Sequence, residues 1–438
     1  MLQASVAGQV AGHRLGCDVP DPVSGKRIVA NDPQDHPAMA IAAYGVLHMS
    51  GAVILSAKRT PIGRFFGSYS RVSSPQLGAW ALEAALNAAP GAAEHVDECI
   101  MGCVLQASLG QNPARQAGLK AGLPESLSAQ TINKVCGSGL QAVMLADQSI
   151  RAGDNHIVVA GGFENMTQAP HLASVRSGVK FGDTPMVDHM AHDGLTCAFE
   201  EWGMGFAAEH IAAKHGISRV EQDRFSAQSH QRAAAATEAG WFGDEIVPLE
   251  ASAIKQKQDI TQDEGIRADT TAEGLSKLRP SFTKDGVVTA GNASQISDGA
   301  AALVIASAEK AAELGLEPLA RIIGSDTSGV APKEIFDAPA QGIAALLARH
   351  DLTVDDIDLF ELNEAFAAQA LANIGELGLS EDKVNICGGG MALGHPIGAS
   401  GARVLTTLVH QMRRTGAKRG IASLCLGGGN AVSMLIEC

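Results

Sequence analysis

No uninterrupted apolar run in the 438 residues is long enough to span a bilayer. Positive charge is also short: 33 Lys and Arg stand against 47 Asp and Glu, for a net charge of −14. The first absence argues against a membrane protein. The second argues against nonspecific binding to nucleic acid or anionic lipid, so an anionic substrate would need a local basic patch. No secretory signal precedes the eight cysteines, and the chain is too large to depend on a disulfide framework. A reduced, cytoplasmic protein is expected. Cys99 and Cys103 are spaced like half of a metal site, but no second Cys/His pair at ligand spacing accompanies them. They read as buried core thiols, and no metal is expected.

What is present is a globular composition, 46% hydrophobic and 18% charged, in a chain long enough for two or three domains. Residues 1–48 stand apart. They mix Gly, Pro, Asp and His without sustained periodicity, and Asp18, Asp21, Asp32 and Asp35 argue against a mitochondrial transit peptide. A disordered or loosely packed extension is expected there, with Met49 as the true start. The ordered pattern begins at Gly51–Ala57, a buried-strand run.

Two distant segments share one plan. Cys136-Gly137-Ser138-Gly139 leads into a helical stretch at Leu140–Ile150, then a strand at Ile157–Ala160 ending in Gly161-Gly162. Gly398-Ala399-Ser400-Gly401 leads into a helical stretch at Ala402–Arg413, then a strand at Gly420–Leu424 ending in Gly427-Gly428-Gly429. The same order of elements in both predicts a duplicated α/β architecture. The halves are expected at 49–165 with 297–318, and at 319–438. Between them, 166–296 is polar and turn-rich, with helices expected at Ala207–His215 and Arg219–Ala239. It reads as an inserted domain lying over a site.

The 49 glycines concentrate beside two cysteines and one histidine: Cys136, His395 in Gly394-His395-Pro396, and Cys425 before Gly427. Glycine lets backbone N–H groups approach a ligand, and a thiol beside them can be nucleophile or base. That combination points to thioester chemistry. Cys136 is expected to open a helix whose N-terminus would stabilise a thiolate.

With these segments, the motifs Gly161-Gly162-Phe163-Glu164-Asn165-Met166, Thr289–Ser294 and Asn363-Glu364-Ala365-Phe366-Ala367 occur in an order that resembles the thiolases. The resemblance runs from about Ser50 to the C-terminus. It implies a five-layered α-β-α-β-α core from two similar halves, with an inserted loop domain that binds coenzyme A. It further implies acetyl transfer between acetyl-CoA molecules, with acyl-CoA and CoA as substrates and products, no bound cofactor, and a homodimer or homotetramer.

By the same resemblance Cys136 is the acylated nucleophile, His395 its base and Cys425 the acid/base at carbon. One oxyanion hole combines His395 with a water held by Asn363; the other combines the backbone N–H groups of Cys136 and Gly427. Leu195, Met204, Arg267, Ala290, Gly291, Ser294 and Phe366 match the family's CoA or acyl pocket. Arg267 reads equally as a phosphate contact or a solvated surface arginine, and Met204 and Phe366 equally as core residues. Departures at Gly203, Cys387, Ile335–Pro339 and Ala431 leave acyl-chain length open between acetoacetyl-CoA and longer 3-ketoacyl-CoAs. A decarboxylating β-ketoacyl synthase is disfavoured by Cys425 and Gly394-His395-Pro396, and a silent CoA- or lipid-binding protein by the intact Cys136, His395, Asn363 and Cys425.

Overall fold

The computed structural model describes residues 51–438; the extension expected at 1–48 lies outside the described residues. From Gly51 onward the chain alternates β-rich and helical segments. The longer strands are β1 (Val53–Arg59), β2 (Glu98–Gly102), β3 (Ser128–Ile132), β4 (Ile157–Asn165), β5 (Ser297–Ala306), β6 (Ala320–Gly329), β7 (Leu359–Leu362), β8 (Arg419–Leu426) and β9 (Asn430–Glu437). The longer helices are α1 (Ser74–Asn87), α2 (Pro113–Lys120), α3 (Ser138–Ala152), α4 (Met204–His215), α5 (Arg219–Glu238), α6 (Ala338–Arg349), α7 (Ala367–Leu377) and α8 (Ile397–Thr415). β4 and β5 are buried at every position, which is why they read as near-continuous apolar runs and not as alternating strands.

The strands follow the order β7-β8-β9-β6-β1-β5-β4-β2-β3. Within β3-β2-β4-β5-β1 the contacts are parallel, parallel, antiparallel, antiparallel. The second run repeats this: Val384 bridges Phe360 of β7 in parallel, β7 pairs β8 in parallel, and β8-β9-β6 are antiparallel. The two runs join only where Val53 and Ile54 of β1 meet Arg321 and Ala320 of β6.

Helices α3 and α8 fill the layer between the runs. Leu140, Val143 and Met144 of α3 share one core with Val404, Leu405, Leu408 and Met412 of α8 and with strand residues of both halves. On the outer face of the first run, Leu77, Leu82 and Leu86 of α1 pack on β4 and β5 with Ala114 and Ala117 of α2. On the other outer face, Ile343, Leu346 and Ile374 bring α6 and α7 onto β7, β8 and β9. The result is five layers, helix–sheet–helix–sheet–helix.

α3 and α8 cross at small residues. A Cβ on Gly139 would stand 2.6 Å from the Ala402 nitrogen, and one on Gly401 would collide with the Leu140 nitrogen. Both helices end at a glycine with positive φ, Gly153 at 82° and Gly416 at 72°, after a basic last turn. Each also starts sooner than its apolar pattern indicates, at Ser138 rather than Leu140 and at Ile397 rather than Ala402. Apart from Ile397 the early residues are small, so hydrophobic periodicity alone misses them.

Residues 166–296 add no strand to the large sheet and meet it at a single parallel bridge from Ile246 to Arg59 of β1. They carry α4, α5, short helical turns and a two-stranded ladder at His171–Leu172 and Val187–Asp188. α5 begins with a full capping box, Ser218 accepting from the Glu221 N–H while the Glu221 carboxylate accepts from the Ser218 N–H.

Candidate active site

Cys136 lies two residues before α3 and His395 two residues before α8, so the repeated architecture sets them at equivalent positions. The nucleophile turn is tied internally. The Val135 N–H donates to Asn133 Oδ1 (3.0 Å), Lys134 N–H to Ser138 Oγ (2.8 Å), and Ser138 Oγ to the Val135 carbonyl (2.7 Å). These bonds hold Val135 at φ 47°, a left-handed conformation that is costly for a β-branched residue. Gly137 lets the turn press on Leu426 and Val432, where a Cβ could not fit. Cys136 is thereby brought against the end of β8, which carries Cys425.

His395 is built from the other half. Its N–H donates to the Gln295 carbonyl (3.1 Å), and Gln295 Nε2 in turn reaches the Met391 carbonyl at 2.9 Å. Gly394 supplies φ 109° where a side chain would strike Ser297. Two buried carboxylates hold the approach. Glu364 accepts from Met391 N–H (3.1 Å), Asn385 Nδ2 (2.8 Å) and Ser229 Oγ (2.7 Å). Glu164, from β4 of the first half, accepts from Val104 N–H (3.0 Å), Leu105 N–H (3.1 Å) and Gly398 N–H (2.9 Å). Gly398 is in the first turn of α8, so a carboxylate from one half satisfies the helix N-terminus of the other. Neither role is visible in the sequence without the fold, although both residues stand in quoted motifs.

Cys136, His395, Cys425 and Gly427 line one cavity of about 390 Å3, with Leu195, Met204, Ser294 and Phe366 among its other walls. Asn363 stands behind His395, its Nδ2 3.3 Å from His395 Nε2, and its Oδ1 is buried without a partner among the described residues. A larger open cleft of about 1040 Å3 runs along Gln256–Glu264 and contains none of these groups. The cavity with the convergent thiols and imidazole is where the chemistry belongs.

Ala290, Gly291 and Arg267 do not line that cavity. Arg267 is exposed, and its backbone N–H donates to His230 Nδ1 at 3.2 Å. Arg267, expected beside a nucleotide, falls outside the cavity, and so do Ala290 and Gly291, which were expected in the CoA or acyl pocket. Among described residues the one group of three spatially close metal-type ligands is His215, Asp337 and Glu376, away from the cavity, where Lys214 Nζ already holds Asp337 at 2.7 Å. Cys99 and Cys103 are buried in the outer core, and Cys103 donates to Glu164.

The electrostatics correct one expectation. Cys136 does not open the helix but precedes its Gly137 cap, and burial pushes its thiol up to about 12, despite an opposing contact from its own N–H. Burial also raises Cys425 well above the ordinary thiol range, with the neighbouring Cys136 adding to it. His395 is driven down to about 3, first by burial and then by the positive charge of Arg403. Desolvation in the cavity, felt even by the part-buried Cys136, thus favours two thiols and a neutral imidazole at rest.

Two family descriptions match the chain: "Thiolase, N-terminal domain" over residues 52–309 and "Thiolase, C-terminal domain" over residues 316–438. An acetyl-CoA acetyltransferase from Chromobacterium violaceum is 53% identical over 388 residues, 88% of this chain and 98% of that protein. One from Cupriavidus necator is 50% identical over 394 residues, 89% of this chain and all of that protein. The crystal structure of the Bacillus anthracis acetyl-CoA acetyltransferase superposes with a TM-score of 0.85 at 42% identity, covering 89% of this chain and 99% of that one.

A neutral buried imidazole has a measurable consequence. With His395 near 3 in the fold and near 6.5 when unfolded, the unfolded chain binds the extra proton as pH falls below 6.5. Stability is therefore lost on acidification, by about 2 kcal/mol at pH 5 from this residue. Comparing denaturant midpoints at pH 7.5 and pH 5, His395→Gln should lose that much less than the wild type. Equal pH dependence in the two proteins would contradict the neutral imidazole.

Proposed function

The chain belongs to the thiolase family of acyltransferases, and we propose that it is an acetyl-CoA C-acetyltransferase. It interconverts two acetyl-CoA with acetoacetyl-CoA and CoA through an acyl group on Cys136. Coenzyme A is substrate and product, and no further cofactor takes part. The observation that carries the reading is the convergence of Cys136, His395 and Cys425 on one apolar cavity.

The neutral resting site gives a balanced proton path. Cys136 Sγ attacks the acetyl-CoA carbonyl as its proton passes to His395 Nε2, with the oxyanion held by the N–H groups of Cys136 and Gly427. CoA leaves as a thiol with the proton of Cys425. That leaves an acetylated Cys136, a Cys425 thiolate and a His395 imidazolium. A second acetyl-CoA loses a methyl proton to Cys425, and its enolate oxygen is held by His395 Nε2–H and the water assigned to Asn363. The enolate carbon attacks the acetyl group, and Cys136 departs and recovers its proton from His395. Burial makes Cys425 a weak acid, hence a strong base once ionised, as a carbon acid requires.

Leu195, Met204, Ser294 and Phe366 would hold the acyl and pantetheine end; Arg267, Ala290 and Gly291 would meet the nucleotide end beyond the cavity. A second reading, thiolysis of longer 3-ketoacyl-CoAs in fatty-acid breakdown, is favoured by Gly203. It lines the cavity with open space beside it, an added Cβ meeting only the Leu195 carbonyl at 3.9 Å. Seven unpaired thiols among the described residues suit a reducing, cytoplasmic setting; no helix among those residues is long and apolar enough to cross a membrane.

The reading includes self-association with further copies of the chain. Strand β3 pairs on one side only, and the segment around the 171–188 ladder exposes Val175, Val179, Met186 and a fully exposed Phe181. Light scattering should give a dimer or tetramer, reduced in order by Phe181→Asp. A 45.1 kDa monomer would overturn this part.

Cys425→Ala separates the two half-reactions. Acetylation of Cys136 needs no base at carbon and should persist, whereas deuterium exchange into the acetyl-CoA methyl group and carbon–carbon bond formation should fall about 10²- to 10⁴-fold. Mass spectrometry and NMR on one sample read both. Wild-type exchange in the variant would assign the carbon base elsewhere, and wild-type protein with no acetylation at all would favour a silent binder.

A further inference from the structure

We infer that Ser400 is a positioning residue that fixes His395 in the Nδ1–H tautomer, leaving the lone pair on Nε2, the nitrogen that serves as base. The inference rests on the proposed role of His395 toward Cys136, and it concerns a side chain that role does not itself include.

His395 Nδ1 stands 2.6 Å from Ser400 Oγ, and Ser400 Oγ stands 2.9 Å from the Pro396 carbonyl. A carbonyl can only accept, and a hydroxyl has one proton. With the Ser400 proton on Pro396, whose carbonyl also accepts from the Ala399 and Ser400 N–H groups, the hydroxyl lone pairs face the imidazole. Nδ1 must carry the ring proton, which places the lone pair on Nε2. The Asn363 amide nitrogen lies 3.3 Å from Nε2, in place to donate to that lone pair.

The geometry holds because all the parts sit in one turn. Ser400 is the fourth residue of α8, and its hydroxyl bonds back to the carbonyl four residues earlier, a pattern common to helical serines. Ser400 is 1% exposed and His395 6%, so bulk water does not compete for Nδ1. A serine in this place has a further consequence. A carboxylate at Nδ1 would stabilise imidazolium in the resting site and draw the Cys136 proton over in advance; a neutral hydroxyl orients the ring without doing so. The two needs of the reaction, a lone pair on Nε2 for the thiol proton and later an Nε2–H for the enolate oxygen, are then met in sequence by one nitrogen.

The test is nitrogen-15 NMR of histidine-labelled enzyme at rest, with His395 assigned by its loss in His395→Gln. Two-bond nitrogen–proton couplings distinguish the tautomers. Wild type should show Nδ1–H, Ser400→Ala a mixture, and Ser400→Thr a return to Nδ1–H. In thiolysis of acetoacetyl-CoA, Ser400→Ala should lower kcat about 10- to 100-fold with KM little changed, and Ser400→Thr should restore most of it. An Nε2–H signal in the wild type would overturn the inference, as would a Ser400→Ala enzyme that keeps the pure Nδ1–H tautomer. The wild-type spectrum needs no turnover and no variant of Ser400, so it decides the tautomer even if thiolysis of acetoacetyl-CoA fails and the proposed function falls.

Discussion

The close crossing of α3 and α8 is the constraint on which the active site depends. Cys136 and His395 come from positions more than 250 residues apart, each two residues ahead of its helix. They can share a cavity only if the two helices approach almost backbone to backbone, which Gly139 and Gly401 permit. An added methyl at either place would force the layers apart, at a cost on the order of 1–3 kcal/mol from overpacking alone. Glu164 locks the approach from the side by satisfying N–H groups of its own half and the first turn of α8 together.

Burial then sets the chemistry. Cys136 and Cys425 are held as thiols and His395 as a neutral imidazole, because charging any one of them alone in this cavity is disfavoured. In the proposed cycle charge stands only in opposite pairs, as with the Cys425 thiolate and His395 imidazolium of the acyl-enzyme. The preorganised donors are in place beforehand: backbone N–H groups of the strained turn at Val135–Cys136, the glycines after Cys425, and Asn363 behind the imidazole. The strain at Val135 is offset by the internal bonds from Asn133 and Ser138, so the nucleophile is presented by a turn that cannot relax without breaking them.

Much of this was legible in the sequence, and what was not has identifiable physical causes. The repeat of turn, helix, strand and glycines at 136–162 and 398–429 announced the two halves, since hydrophobic period and glycine placement are local properties. Cys136, His395 and Cys425 stood out for the same reason, and the cavity gathers all three. Long-range partners left no such trace. Glu164 and Glu364 read as motif letters, and their bonds to Gly398 and Met391 exist only once the halves dock. Ser400 read as one small residue among many. The helix N-terminus that favours a thiolate at Cys136 is visible in sequence, whereas the desolvation that opposes it exists only in the folded cavity. Arg267, Ala290 and Gly291 belong to a turn-rich segment whose path relative to the cavity cannot be counted from spacing.

The most direct test of the account is a crystal structure of the wild-type enzyme frozen shortly after exposure to acetyl-CoA. It should show the acetyl group on Cys136 Sγ, its carbonyl oxygen between the N–H groups of Cys136 and Gly427, and both His395 Nε2 and Cys425 Sγ facing the acetyl carbon from across the cavity. An acetyl group on Cys425, or an acetylated Cys136 whose oxygen points away from both N–H groups, would contradict it.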